Sequence, residues 1–345
     1  MMKDRTVSMA KGLAIVLMVL GHTGFNDYGV KFIYMFHMPL FFFLSGYCFK
    51  ASYLSDFKKY AIKRIKGAYV PYVKWGTLFL LLHNVFYHLH VYDALFGDTL
   101  FGIRDYAVNA LRIVTLTHSE KMLGGYWFLQ AYLVASFIFF VIVWLSKNKK
   151  KVMCLGGAFL LIICSLKIYA GVRVGSPDLL GAFFIIAGYL YKRSELKLER
   201  HISCLPLCVV LVHIGVLYWS SAMSTVSYMN VVPYCLTAIV GTVMVFSLCD
   251  ILSRWSICDK LLSYFGDKTL VILTWHFLCF KLVSLLIVNT NGLSSSWIAE
   301  FPVIADYTSK GWWLLYLAAG VLFPLLIYKL SHLIIAAYER NKNRY

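Results

Sequence analysis

The stretch Met9–Phe49, MAKGLAIVLMVLGHTGFNDYGVKFIYMFHMPLFFFLSGYCF, contains two apolar segments joined by a short polar turn. Lys11, His22 and His37 stand inside these segments or at their ends. Ionisable side chains in apolar segments are costly and usually face a cavity or a partner. The stretch therefore predicts two membrane helices that carry the reactive side chains of the protein.

The composition predicts a polytopic membrane protein. Of the 345 residues, 60% are hydrophobic and only 14% are charged, whereas soluble proteins carry about 25% charged residues. A net charge of +17 is compatible with nucleic-acid binding, but the basic residues occur in short runs between apolar segments. This is the distribution of the positive-inside rule. We therefore expect a lipid bilayer, and no nucleic acid, as a partner.

The apolar segments predict an all-α fold of about ten transmembrane helices. They cover residues 9–25, 31–49, 69–90, 126–146, 152–171, 177–192, 202–221, 231–252, 268–288 and 311–336. Of the 33 Lys and Arg residues, 22 fall at the two termini and in every second loop, and six fall in the alternate loops. This asymmetry predicts that both termini are cytoplasmic.

We expect a single transmembrane domain over residues 1–345, with no appended soluble domain. The basic start and the short apolar core at 12–21 are also typical of a secretory signal peptide, but no small-residue cleavage site follows the core. We therefore predict a retained first helix. The nine cysteines show no metal-ligand spacing, so no metal is expected.

Lys11 and His22 share one helix face in this interpretation, because the eleven-residue step between them covers about three turns, about 16 Å. The predicted orientation puts Lys11 near the cytoplasmic end and His22 near the outer end. Histidine can take up and return a proton near neutral pH, and His37 opens the next segment on the same side. Structural roles stay open: an interfacial histidine for His22 or His37, and a lysine that reaches the headgroups for Lys11.

The pattern Lys11-x10-His22, followed by FHMPLFFFLSGY over 36–47, resembles the acyltransferase-3 family. The second run is most similar to the sugar O-acetylase branch that includes fucose 4-O-acetylases. The resemblance implies a multi-pass O-acetyltransferase of the bacterial cytoplasmic membrane, usually with ten helices. It implies cytoplasmic acetyl-CoA as the acyl donor and a carbohydrate hydroxyl on the far side, as in O-antigen, capsule or exopolysaccharide, as the acceptor. It also implies that His22 is the catalytic base, with Lys11 and His37 in the catalytic set.

A second pattern supplies the expected donor site. Lys63-x-x-Lys66, followed by Pro71, resembles the Arg-x-x-Arg motif of the family. Lysines replace the arginines, so phosphates would be bound by point charges rather than by bidentate contacts, with Arg64 adding one guanidinium. Lys63, Arg64 and Lys66 are the expected ligands of the CoA phosphates. Ordinary positive-inside charge is the alternative interpretation.

Two further patterns supply expected acceptor-binding residues. Tyr126–Leu129 resembles the Trp-Phe-Leu motif of the family, and Thr274–His276 resembles its late histidine-bearing helix. Trp127, His276 and Glu120, the last in a long outer loop, are the expected acceptor-binding residues. An aromatic belt residue and a packed, hydrogen-bonded histidine remain the structural alternatives.

One position departs from the family pattern. Ser8 stands three residues before Lys11, where the family commonly has Asp. The donors for the oxyanion, with His37, Trp127 and helix-end amides as candidates, stay open, as does the choice between direct transfer and an acyl-histidine. A transporter or flippase for a glycan or small solute is the alternative function. The lack of an internal repeat and of matched Gly/Pro interruptions argues against it.

Overall fold

The computed structural model describes residues 5–118, 120–194 and 204–342. Within these ranges every regular element is a helix and no β-strand occurs. In chain order the α-helices are α1 (Arg5–Gly21), α2 (Asp27–Tyr34), α3 (His37–Tyr47), α4 (Phe57–Arg64), α5 (Val70–His88), α6 (Ile103–Val114), α7 (Trp127–Leu145), α8 (Lys150–Tyr169), α9 (Ser176–Lys192), α10 (Cys204–Trp219), α11 (Val231–Leu252), α12 (Ser256–Asp267), α13 (Thr269–Asn291), α14 (Ala305–Tyr307) and α15 (Trp313–Lys342).

The chain divides into two compact units. The first comprises Met1–Met18, Asp27–Lys74 and Trp127–Asp267. The second comprises Val19–Asn26, Trp75–Tyr126 and Lys268–Tyr345. Helix α1 runs to Gly21, so its last turn and the residues that follow it belong to the second unit.

Six helical segments in the described residues are long and apolar enough to cross a membrane. They are Asp27–Tyr47, Lys121–Leu145, Lys150–Tyr169, Tyr228–Leu252, Thr269–Asn291 and Ala305–Ile334. Helix α10 is also apolar but shorter. Each of the ten predicted segments contains a helix, which confirms the all-α prediction for the described part of the chain. The number of ten spans and the cytoplasmic location of the termini stay predictions.

The second predicted segment, 31–49, overlaps the candidate span Asp27–Tyr47, but it is not one continuous α-helix. The structure has α2 and α3 in its place, with a break at Met35 and Phe36. Pro39 explains the break. In a continuous helix its ring would clash with the carbonyl four residues earlier, that of Met35, and it offers no N–H. In the first turn of α3, where the N–H needs no helical partner, Pro39 is tolerated.

Close backbone contact between α3 and α9 organises the first unit. A Cβ atom added at Gly46 would overlap the carbonyl oxygen of Ile185, and one added at Gly188 would overlap that of Phe43. Two helix backbones can approach this closely only where small residues face each other. The flanking side chains, including Phe42 and Phe43, are buried in the same core.

This contact predicts a stability effect for Gly188→Ala. The new methyl group meets backbone, which cannot rotate away, so α3 and α9 must separate. We expect a loss of about 1–3 kcal/mol, measured as a lower Tm of the purified protein in detergent. Gly67→Ala is the matched control, because nothing lies within 4 Å of a Cβ at that position. An unchanged Tm for Gly188→Ala would contradict the close packing.

Candidate active site

His22 lies directly after the end of α1 rather than inside it. The predicted helix over 9–25 ends at Gly21, and the backbone N–H of His22 donates to the Val19 carbonyl at 3.0 Å. The Thr23 hydroxyl donates to the Leu20 carbonyl at 2.8 Å. Gly24 then takes a left-handed conformation with φ +70, where a Cβ would run into Thr308. The turn therefore fixes the partly exposed imidazole of His22 at the helix end.

Helix α13 places a second imidazole beside the first, within the second unit. The ring centroids of His22 and His276 are 5.8 Å apart and the planes are tilted by 30°. The Phe277 ring lies 5.0 Å from His22 and 3.9 Å from His276. Phe280 adds an edge contact to His276 at 5.8 Å. The two imidazoles are thus held together on an aromatic surface, and we call His22, His276 and Phe277 the imidazole cluster.

His276 is buried, and its hydrogen bonds fix its tautomer. Nδ1 lies 3.1 Å from the Ile272 carbonyl and 3.0 Å from the Leu273 carbonyl. A carbonyl only accepts, so Nδ1 carries the proton and Nε2 of the neutral ring carries a lone pair. In the described part of the chain, Nε2 is buried without a hydrogen-bond partner.

The short 3-10 helix Lys121–Tyr126 packs against α13 and supports the imidazole cluster. The hydroxyls of Tyr126 and Thr274 are 2.7 Å apart. A Cβ on Gly125 would lie 2.7 Å from a Leu273 methyl group, and one on Gly124 would lie 3.2 Å from the Phe277 ring. Sequence reasoning named the two motifs that contain Tyr126 and Thr274. It missed their hydrogen bond and the role of Phe277, because both depend on tertiary contacts.

Glu120 is buried, and its carboxylate is bound within the outer loop. The Tyr92 hydroxyl donates to Oε1, and His118 Nε2 lies 3.6 Å from Oε2. Burial by itself would raise the pKa of the Glu120 carboxyl, but the nearby His118 imidazole and the hydrogen bond from Tyr92 hold that pKa below its usual value. Glu120 is therefore ionised near neutral pH. These contacts hold the loop together, and a role of Glu120 in acceptor binding stays a prediction.

Lys281, also in the second unit, has a local partner for its charge. Its side chain is buried, and Nζ donates to the Glu300 carbonyl at 2.6 Å. Nζ also lies 5.7 Å from the centroid of the Phe301 ring. An intramembrane lysine is compatible with a transport path. This contact instead fixes the loop after α13 to the helix.

In the first unit, Lys11 lies partly exposed on α1, between two close contacts with α12. A Cβ at Gly12 would overlap the Leu262 carbonyl, and one at Gly266 would overlap the Ser8 carbonyl. Ser8 is itself buried. A carboxylate at a buried position needs a partner that compensates its charge, whereas a small hydroxyl costs much less. Ser8 is thus compatible with this packing without the partner that an Asp would need.

His37, also in the first unit, begins α3 and is buried. Its Nδ1 donates to the Ile33 carbonyl at 2.9 Å, and its ring lies 5.1 Å from Tyr34. The hydrogen bond joins α3 back to α2 across the break. The cavity that His37 was predicted to share with His22 stays a prediction. Trp127 begins α7 in the same unit and is partly exposed against the core.

The three predicted donor-site cations differ in exposure. Lys63 and Lys66 are exposed at the end of α4 and in the π-helical turn Ile65–Tyr69, whereas Arg64 is buried. The Arg64 guanidinium donates to the Tyr132 hydroxyl and stands 4.8 Å from the Tyr60 ring centroid. A single π-helical turn often marks a functional site. Lys63 and Lys66 are therefore the exposed cations on either side of Arg64, which anchors the segment, and Lys63 Nζ donates to the Tyr53 hydroxyl at 3.2 Å.

Comparison with known proteins places this chain in a family. The profile described as an acyltransferase domain, of the acyltransferase-3 type, matches residues 5–331. Nodulation protein NolL of Sinorhizobium fredii is 26% identical over 206 residues, 56% of this chain and 50% of that protein. NolL of Mesorhizobium japonicum is 27% identical over 153 residues, 41% of this chain and 35% of that protein.

The chain thus spans half or less of the length of these curated relatives. No solved structure matches it significantly. Among the described residues, no group of three His, Cys, Asp or Glu side chains could hold a metal ion. The family profile covers nearly the whole chain, and the resemblance drawn from Lys11, His22 and the run 36–47 is confirmed. The chain belongs to the acyltransferase-3 family of membrane acyltransferases.

Proposed function

We propose that this protein is a membrane O-acetyltransferase that moves an acetyl group from acetyl-CoA to a hydroxyl of a cell-surface or lipid-linked carbohydrate. The observation that carries the proposal is the imidazole cluster. A histidine that ends the first helix of an acyltransferase-family chain is packed against a second imidazole and an aromatic ring. Such a histidine has the position and the chemistry of a general base.

His22 acts as the base in this reaction. Its ring nitrogen takes the proton of the acceptor hydroxyl while the hydroxyl oxygen attacks the thioester carbonyl carbon. The carbon–sulfur bond breaks, and the imidazolium returns the proton to the CoA thiolate as the ester is released. Direct transfer of this kind needs no acyl-histidine intermediate. The tetrahedral oxyanion requires hydrogen-bond donors, for which His37, Trp127 and helix-end amides stay candidates.

The donor site is proposed at the basic segment around α4. Lys63 and Lys66 are exposed and bind the CoA phosphates as point charges. Arg64, held by Tyr60 and Tyr132, keeps this segment in place. Lys11, in the same unit, extends the positive surface along α1. The predicted positive-inside orientation puts these cations on the cytoplasmic face, where CoA is present.

The acceptor is proposed to be a carbohydrate of the bacterial cell envelope, bound from the outer side of the cytoplasmic membrane. Trp127 offers a partly exposed aromatic face, and His276 offers a ring nitrogen beside the base. Glu120 contributes through the loop that it holds together. No observation favours the alternative of a transporter, because Lys281 has a local partner in Glu300.

Removal of the base is the first test. His22→Ala should lower acetyl transfer by at least about 10²-fold, because general base catalysis typically contributes 10²–10⁴-fold. Transfer is measured in membrane vesicles with labelled acetyl-CoA and envelope glycan from which O-acetyl groups have been removed. His88→Ala, which alters an exposed histidine at the end of α5, is the matched control and should behave as wild type. Retained transfer in His22→Ala, with normal membrane insertion, would overturn the assignment.

Charge removal at the donor site is the second test. The double variant Lys63→Gln/Lys66→Gln should raise the KM for acetyl-CoA by roughly tenfold, since loss of two phosphate contacts costs about 1–3 kcal/mol. The control is Lys58→Gln/Lys59→Gln, which removes two exposed charges from the same helix and should leave that KM nearly unchanged. Equal effects of the two double variants would mean that only the overall surface charge matters.

A further inference from the structure

The two ring nitrogens of His276 have different surroundings. Nδ1 is bound to carbonyls of its own helix, those of Ile272 and Leu273. The opposite nitrogen, Nε2, therefore points away from α13. It is buried without a hydrogen-bond partner among the described residues. An unsatisfied buried polar atom destabilises the folded state, so each such atom needs an explanation, and a role in function is one of them.

His22 does not satisfy this nitrogen directly. The ring centroids are 5.8 Å apart. Because a ring nitrogen lies about 1.2 Å from its centroid, two nitrogens could approach to roughly 3.4 Å at best, longer than an N–H hydrogen bond. Phe277 and Phe280 pack against His276, and neither ring can donate a hydrogen bond.

To act as a base in the proposed function, His22 must have an unprotonated ring nitrogen. That nitrogen also carries a lone pair. The imidazole cluster then presents two hydrogen-bond acceptors side by side. One hydroxyl has a single proton and satisfies only one of them. A second donor must come from the same substrate. Hydroxyls on adjacent carbons of a sugar ring, about 3 Å apart when gauche, supply two donors at this spacing.

We propose, resting on the function proposed above, that the acceptor presents two adjacent hydroxyls to the imidazole cluster. The hydroxyl that is acetylated binds at His22, and its neighbour donates to Nε2 of His276. His276 is then a positioning residue for the acceptor, and it selects sugars with a free hydroxyl next to the reacting carbon. An acceptor that lacks this neighbour leaves Nε2 unsatisfied and binds more weakly.

Two substitutions separate the roles of the two nitrogens. His276→Asn keeps a polar group near the position of Nδ1 and removes the acceptor at the position of Nε2. His276→Gln places an amide oxygen near the position of Nε2. With the de-O-acetylated envelope glycan as acceptor, we expect His276→Asn to lower kcat/KM for the glycan by about 10- to 100-fold. His276→Gln should recover much of this loss, and the KM for acetyl-CoA should not change in either variant.

The position of the new ester is the second readout. After reaction with 13C-acetyl-CoA, NMR of the glycan should place the acetyl group on a carbon whose neighbour bears a free hydroxyl. Acetylation of a carbon with no such neighbour, or wild-type KM for the glycan in His276→Asn, would overturn the inference. Neither result would contradict the proposed acetyltransferase function. Absence of transfer by the wild-type protein would contradict the proposed function and the inference together.

Discussion

The mutual packing of three rings, His22, His276 and Phe277, is the constraint on which the functional interpretation depends. A histidine one residue beyond a helix end is normally free to sample many orientations. Here the turn closed by Thr23 and Gly24 and the ring contact with Phe277 restrict it. A base must stand within hydrogen-bond reach of the proton that it takes. Restricting the imidazole before the substrate arrives lowers the entropy cost of reaching that geometry.

Most of the long helices, and His22 as the candidate base, could be identified from the sequence, because both depend on local patterns. Apolar runs predicted the helices that carry Lys11, His37, Trp127 and His276, although not α4 with Lys63 and Arg64. The spacing of Lys11 and His22 indicated the family. The break before α3 could also have been predicted, since in a continuous helix the Pro39 ring would clash with the Met35 carbonyl. The hydropathy of this apolar run gave no sign of the break, because hydropathy does not depend on whether a residue has a backbone N–H.

The partners of the site residues could not be predicted in this way. Nε2 of His276 has no hydrogen-bond partner among the described residues because Nδ1 takes the bonds to the carbonyls one turn back on the same helix. His276 also lies close to His22, which is more than 250 positions away in the chain. The partners of Arg64 also could not be predicted from the sequence. Its sequence context indicated a phosphate ligand, yet the ring faces of Tyr60 and Tyr132 surround it. In a segment rich in aromatic residues, an arginine can gain more from stacking than from solvent.

In the proposed reaction, the protein transfers an acetyl group from CoA on one face of the membrane to a glycan hydroxyl on the other. The most direct measurement uses purified protein in sealed liposomes, with the de-O-acetylated glycan inside and labelled acetyl-CoA added only outside. Only molecules with the face around Lys63 and Lys66 outward can use this donor. We expect labelled ester on the enclosed glycan, and none with His22→Ala. Label that appears only when donor and glycan share one compartment would contradict it.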